Sequence, residues 1–257
     1  YVKNEIKNLG NQTGYIDKES LPTLGTVSRN ENGYPIGYFF GYKAIGVFQT
    51  QEEIDSYISP ATGKPIQPNA APGDTKFEDL NGDGVISDDN EDRTMIGKPN
   101  PDWMVGLTVA ADWNGFDLSA FFQGSFGADV FDALRRYELA AVNYTSDALE
   151  RWTGPGTSNS MPRIVLGDTP KNFRPSTLLV HDASFLRLRN LQVGYTLPAQ
   201  LTRKAYIQRL RFYASFDNLL TITGYKGMDP EIGSTMGIDK GVYPQARVYT
   251  FGLNLTF

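Results

Sequence analysis

The residues best suited to chemistry lie between Asp79 and Asp92. The run Asp79-Leu80-Asn81-Gly82-Asp83-Gly84-Val85-Ile86-Ser87 puts side-chain oxygens at its first, third and fifth positions, glycine at the sixth and the Val85 carbonyl at the seventh. That is the front half of a Ca²⁺-binding loop. The back half departs from the pattern: the twelfth position is Asn90 instead of a bidentate Glu, and Asp88, Asp89, Glu91 and Asp92 crowd around it. A closing carboxylate is available among these, and the pattern does not single one out. The expected ligand set is Asp79, Asn81, Asp83, Val85 through its carbonyl, and Asp92. An ion-free turn rich in Asp, Asn and Gly has the same composition.

Catalysis finds no footing. His181, beside Asp182, is the only histidine, there is no cysteine, and no nucleophile elbow is present, so His181 reads as structural. Glu52-Glu53 and Asp88-Asp89 are sequence neighbours that point different ways, and they read as solvated loop charge. No enzyme is expected. Tyr137, Tyr144, Trp152 and Phe173 are loop aromatics that can stack on sugar rings or peptide side chains, or pack the loops onto each other. No ligand-binding residue is assigned.

The elements that must position these residues are strands. Aromatics make up 12% of the 257 residues, Gly numbers 26, and no long Ala/Glu/Leu/Lys-rich stretch of helical period occurs, which points to an all-β chain. No window holds the roughly 18 consecutive apolar residues of a membrane-spanning helix, but a barrel strand needs only roughly 9–11 alternating ones. The net charge of -5 supplies no basic stripe for phosphates, which excludes nucleic acid as a partner. The start, Tyr1-Val2-Lys3-Asn4, lacks the features of a signal peptide, so either such a peptide has been removed or the chain is a fragment of a longer exported protein, and the fragment is the expectation.

Asn114-Gly115 is the dipeptide of a two-residue type I′ hairpin, and it stands between alternating segments. Its register pairs Trp113 with Phe116, Ala111 with Leu118, Val109 with Ala120, Leu107 with Phe122, Val105 with Gly124 and Trp103 with Phe126, all on one face. Met104, Thr108, Asp112, Asp117, Ser119 and Gln123 fall on the more polar face. Trp103 and Trp113 end the apolar face, and a tilt near 40° sets them roughly 25 Å apart along a membrane normal, the height of an outer-membrane apolar band. A sandwich hairpin with one buried face fits this hairpin as well.

Segments 184–196, 208–220 and 246–257 alternate in the same way. The last sets Tyr249, Phe251, Leu253, Leu255 and Phe257 against Val248, Thr250, Gly252, Asn254 and Thr256. An aromatic at the end of an alternating strand resembles the signal by which outer-membrane barrels are recognised for assembly. Trp103, Leu107, Trp113, Phe116, Phe122, Phe251, Leu253 and Phe257 are therefore expected to face lipid. Connections are short after Trp113 and Tyr195, while 127–182 and 221–245 are long and rich in Gly, Pro, Asn and Ser, which is the barrel pattern with long loops outside the cell.

A family resemblance accompanies these patterns. Pro35-Ile36-Gly37-Tyr38-Phe39-Phe40-Gly41-Tyr42, Gly46-Val47-Phe48-Gln49, Pro72-Gly73-Asp74 and Asp79-Leu80-Asn81-Gly82-Asp83-Gly84 come first. Ile96-Gly97-Lys98-Pro99-Asn100-Pro101-Asp102, Gly115-Phe116-Asp117-Leu118 and Arg151-Trp152-Thr153 follow. Ser184-Phe185-Leu186-Arg187-Leu188-Arg189-Asn190, Gly194-Tyr195-Thr196-Leu197-Pro198, Asp217-Asn218-Leu219, Gly227-Met228-Asp229-Pro230-Glu231 and Tyr243-Pro244-Gln245 complete the series. In this order, from about residue 33 to the end, the chain resembles the C-terminal third of SusC/RagA-type TonB-dependent transporters.

The resemblance implies the C-terminal strands of a large antiparallel transmembrane β-barrel of about 22 strands in the cell outer membrane. Residues 1–32 would form a strand and turn, and 33–257 the barrel portion, with extracellular loops at 50–100, 127–182 and 221–245. It also implies import of oligosaccharides or peptides with a SusD-like surface lipoprotein, energised by TonB through the plug and the remaining strands, which these residues do not contain. Compared with the family, Ser87 to Glu91 hold a short insertion before Asp92-Arg93. The rival reading is a secreted or surface Ca²⁺-dependent glycan-binding β-sandwich or adhesin, which would bury the apolar faces; an outer-membrane hydrolase barrel ranks third.

Overall fold

A computed structural model describes residues 1–22, 24–89, 91–135, 143–232 and 236–257. One edge of its largest sheet is the hairpin that the sequence specifies, β1 (Trp103–Trp113) and β2 (Phe116–Phe126). Asn114 and Gly115 both take positive φ, 50° and 87°, as the tight turn demands, and all six expected cross-strand pairs are in register. Three further strands complete an antiparallel sheet: β3 (Phe185–Thr196), β4 (Arg209–Thr223) and β5 (Val248–Thr256). Neighbours in the sheet follow one another in the chain, in the order β5-β4-β3-β2-β1, so the five strands form a meander, and among the described residues no further strand pairs with either edge.

The connections differ sharply at the two ends of this sheet. At one end, β1 turns directly into β2, and β3 reaches β4 through the short helical turns Ala199–Thr202 and Arg203–Ala205. At the other lie the N-terminal hundred residues and the two long connections. β4 extends three residues beyond the expected 208–220, because Thr221, Ile222 and Thr223 find partners in Arg187, Leu186 and Phe185. One irregularity interrupts the ladder. Arg189 is passed over between Leu188 and Asn190 on β3, opposite Asn218 and Leu219 on β4, with Asn218 at φ 53°.

The long connections have cores of their own. Leu21, Val27, Phe39, Phe131, Leu179 and Ile238 meet in one buried cluster, although they come from distant parts of the chain. Their backbones are tied by small sheets: Asp129–Asp132 pairs antiparallel with Val180–Asp182 and parallel with Ile238–Asp239. A four-stranded sheet joins Tyr15–Asp17, Ser28–Glu31, Tyr38–Tyr42 and Arg93–Gly97 in that spatial order. Arginines and aromatic rings alternate across it and beyond. The Arg29 guanidinium lies 4.0 Å from the Tyr15 ring and 3.6 Å from Phe40, Arg93 follows at 4.4 Å from Phe40, and Arg174 lies 4.7 Å from Tyr42 and 4.9 Å from Phe77. Each desolvated cation over a ring contributes on the order of 1–2 kcal/mol, so the stack ties the 168–176 stretch to the N-terminal sheet. Among the described residues no helix is long and apolar enough to cross a membrane.

Phe40 is buried and shared by two of these arginines. Phe40→Leu removes both ring contacts while keeping an apolar side chain, and is expected to cost about 2 kcal/mol. The measurement is the thermal midpoint of the purified protein, which should fall; an unchanged midpoint would show that the stack contributes nothing.

Candidate functional site

The five-stranded sheet has two chemically distinct faces, and the register fixes their membership. On one face the partners of Phe116, Leu118 and Ala120 are Tyr195, Val193 and Leu191 on β3; these in turn meet Phe212, Ala214 and Phe216 on β4, which meet Leu253, Phe251 and Tyr249 on β5. Trp103, Leu107, Trp113, Phe116, Phe251, Leu253 and Phe257 are exposed there, Trp113 and Phe251 each at 75%, while Phe122 is half-buried. Among the described residues no second sheet covers this face. A β-sandwich would have buried it, because an apolar face of this size exposed to water is a liability.

The other face is polar and internally paired. Asp117 of β2 and Arg211 of β4 form an ion pair that reaches across the strand between them. The crossing is possible because the intervening residue is Gly194, where a Cβ would lie 2.5 Å from both side chains. Closer to the long connections, Asn190 of β3 bonds its neighbours on the adjacent β4, donating to Ser215 at 3.0 Å and to Asp217 at 2.7 Å.

Nearer the long connections, two arginines of β3 meet two acids of the 224–247 connection. Arg187 pairs with Asp229 and, at 3.1 Å, with Glu231. Arg189 reaches both oxygens of Glu231 at 2.6 Å and also donates to Gln123 at 2.6 Å and Asn218 at 3.2 Å. Asp229 receives the backbone N–H groups of Glu231 and Gln245 as well. Burial alone would raise the Asp229 carboxyl, but those amides and Arg187 outweigh it and hold it below the usual carboxylate range. The stabilisation is thus present at neutral pH and is lost only as pH falls through that lowered value.

The Asp79–Asp92 loop is built from turns closed by its own acids. Asp79 accepts from the backbone N–H of Gly82 at 2.8 Å and Gly84 at 2.9 Å, Asn81 from Asp83 at 2.9 Å, and Asp83 from Val85 at 2.8 Å. Asp92, fully buried, takes the N–H of Leu80 and of Ser87, each at 3.1 Å. Asn90 lies outside the described residues. Among the described residues no three His, Asp or Glu side chains converge closely enough to hold a metal ion. Lys171 pairs with Asp88, and the Tyr42 hydroxyl donates to the Ser87 carbonyl at 2.7 Å, so the loop is docked on its neighbours.

His181 is half-buried against Tyr225, with Nε2 3.9 Å from Asp132; burial pushes its pKa down, which leaves it neutral at pH 7. It borders a cavity of about 1160 Å³ among the long connections, together with Asp132, Arg135, Asp147 and Lys226. Arg135 is committed to Asp132 at 2.9 Å and Asp147 at 2.7 Å. Of the loop aromatics, Phe173 is buried in a core with Ala148 and Met161, and Trp152 is half-buried with its ring against Gly73 and its Nε1–H donated to Gln49 at 3.2 Å. Tyr144 is exposed, and Tyr137 lies outside the described residues. The β3 arginines were not singled out by sequence reasoning, although the runs Leu186-Arg187-Leu188-Arg189 and Asp229-Pro230-Glu231 carry complementary charge.

No protein-family model matches the chain. Among known proteins, it is 34% identical over 236 residues to TonB-dependent receptor P3 of Formosa agariphila, covering 88% of this chain and 22% of that receptor. It is 30% identical over 257 residues to TonB-dependent receptor SusC of Bacteroides thetaiotaomicron, covering 99% of this chain and 23% of that one. In three dimensions it matches a chain of the RagAB peptide importer in its open-open state with a TM-score of 0.67 and 27% identity, over 98% of this chain and 25% of that one. The chain spans 22% to 28% of the length of the curated relatives it matches.

Filling the gap at residue 194 tests whether the cross-strand ion pair holds the polar face together. Gly194→Leu would drive a side chain between Asp117 and Arg211 and should destabilise the sheet by about 1–3 kcal/mol, read as a lower unfolding midpoint of the full-length protein. An unaltered midpoint would mean that the pair does not depend on the glycine.

Proposed function

The chain belongs to the SusC/RagA type of TonB-dependent receptors, of which it spans about a quarter, and from that premise we propose that it supplies C-terminal barrel wall and surface loops to an outer-membrane importer of oligosaccharides or peptides. The observation that carries the proposal is the coincidence of that relationship with a sheet apolar on one face and polar on the other. In this reading Trp103, Leu107, Trp113, Phe116, Phe122, Phe251, Leu253 and Phe257 meet lipid, and the polar face lines the lumen. The long connections then lie outside the cell, where a SusD-like lipoprotein caps them, and TonB drives transport through parts of the receptor that this chain does not include. Substrate is held and released, not transformed.

The test is uptake by cells carrying the complete receptor and its partner lipoprotein, given labelled oligosaccharides and labelled peptides. Accumulation of one class that disappears without TonB is the expected result. Uptake of neither class, or uptake that persists without TonB, contradicts the proposal.

The proposal extends to the Asp79–Asp92 loop. A Ca²⁺ ion taken up there would draw the Asp79, Asn81 and Asp83 oxygens and the Val85 carbonyl inward, with Asp92 as closing acid. The thermal midpoint should then rise with millimolar Ca²⁺ and return with chelator; a midpoint indifferent to both removes the ion.

A further inference from the structure

Positive charge gathers at the short connection between β3 and β4. Residues 197–210 hold Arg203, Lys204 and Arg209 and no acidic side chain, in a chain whose net charge is -5. The acids of the adjacent β1–β2 hairpin, Asp112 and Asp117, fall on the polar face, and Asp117 is committed to Arg211. Arg209 shares that face, because it precedes Leu210 of the apolar one. Arg203 and Lys204 are left to the turn itself, both exposed, and among the described residues no carboxylate pairs with either.

The backbone of the turn is fixed. Ala199–Thr202 and Arg203–Ala205 form successive helical turns, closed by the Tyr206 N–H on the Arg203 carbonyl at 3.1 Å and the Ile207 N–H on that of Thr202 at 3.2 Å. Tyr206 takes a left-handed φ of 59° with its side chain outward, 91% exposed, and Leu201 is 57% exposed. A tyrosine and a leucine beside two unpaired cations suit a membrane interface, where rings and methylene stems reach the acyl boundary while the charges stay among headgroups.

The position along the sheet agrees. Phe116, Tyr195 and Phe212 form one aromatic row across β2, β3 and β4. Between that row and the turn stands the pair Leu197 and Leu210, joined by the Leu197 N–H on the Leu210 carbonyl at 2.9 Å. At the usual strand rise and a tilt near 40° the step is roughly 5 Å along the normal, which sets the turn within a headgroup layer roughly 5–8 Å deep. Wall strands that the complete receptor adds stand beyond β1 and β5, roughly 10 Å or more from this turn, so none of them abuts it.

Resting on the reading of the apolar face as lipid-facing and of the long connections as extracellular, we propose that the β3–β4 turn is a lipid-anchoring site. Arg203 and Lys204 bind the phosphates of anionic phospholipids in the periplasmic leaflet, and Tyr206 and Leu201 reach toward the acyl boundary. Zwitterionic headgroups are disfavoured, because each carries an ammonium that repels both side chains. The preference is about fivefold per cation at low salt and shrinks as salt screens it.

The test uses the complete receptor in bilayers of phosphatidylcholine, freed of other thiols, with a bimane fluorophore on Ala205→Cys. Phosphatidylglycerol or phosphatidylcholine brominated on the same upper acyl carbons is added at equal mole fraction as quencher. Phosphatidylglycerol should quench at least about threefold more effectively at low salt, and high salt should narrow the gap. Arg203→Gln with Lys204→Gln should make the two lipids equal. Should that pair prevent assembly, the salt dependence of the otherwise unaltered receptor decides alone. Equal quenching by both lipids before any charge is removed, or quenching by neither because the plug or another envelope protein covers the turn, overturns the anchor. A second label on Phe251→Cys separates the two readings: quenched there by both lipids, the lipid-facing reading stands whatever happens at position 205; quenched there by neither, that reading fails and the anchor with it.

Discussion

A strand in a lipid bilayer must pair every backbone N–H and C=O with a neighbouring strand and present carbon to one side only, and the rest of this molecule follows from that constraint. Pairing fixes the register, and a slip of one residue would turn every apolar side chain of a strand to the wrong face. The Asn114-Gly115 turn prevents such a slip between β1 and β2, with both residues at positive φ. The same register carries the apolar row from Phe116 through Tyr195 and Phe212 to Leu253. Polar residues are left for the opposite face, where they can pair only with each other, with water or with a loop that comes to meet them. Asp117 and Arg211 solve this across Gly194; Arg187 and Arg189 solve it with Asp229 and Glu231.

The second solution couples wall to cap. Because the acids that neutralise the β3 arginines belong to a long connection, the wall cannot be formed with those charges satisfied unless that connection is also in place. The connection in turn contributes Ile238 to the core that gathers Leu21, Val27, Phe39, Phe131 and Leu179. Stability of the cap and correct pairing near the top of the sheet are thus one cooperative matter. The arginine–aromatic stack from Tyr15 to Phe77 extends this cohesion to the acidic loop, since Arg174 and Lys171 both face Asp88.

What the sequence disclosed tracks how local the physics is. A two-residue turn with a strong conformational preference and strict alternation let β1 and β2 be read to the residue, and the last strand, read over 246–257, is Val248–Thr256. The alternation fails at Leu188-Arg189-Asn190, where a residue is passed over, so the direction of Arg189 could not be counted from either side. The cap leaves no periodic trace, because its core is assembled a few residues at a time from segments 48 to 92 positions apart, around Phe39, Phe131, Leu179 and Ile238. Trp152 and Phe173, whose exposure the sequence left undecided, pack the connections together. The acidic loop was legible as a pattern, and its Asp, Asn and Gly spacing is matched in the structure by backbone hydrogen bonds to Asp79, Asn81, Asp83 and Asp92.

The most direct measurement of the central claim is site-directed spin labelling of the complete receptor in lipid bilayers, at consecutive positions of β1 and β5, with collision rates read against oxygen and against a water-soluble nickel chelate. Labels at Leu107, Val109, Phe251 and Leu253 should favour oxygen, and labels at Thr108, Ala110, Thr250 and Asn254 should favour the chelate, so that accessibility alternates with a period of two. Uniform accessibility along either strand, or alternation in the opposite phase, would contradict the assignment of these faces to lipid and lumen.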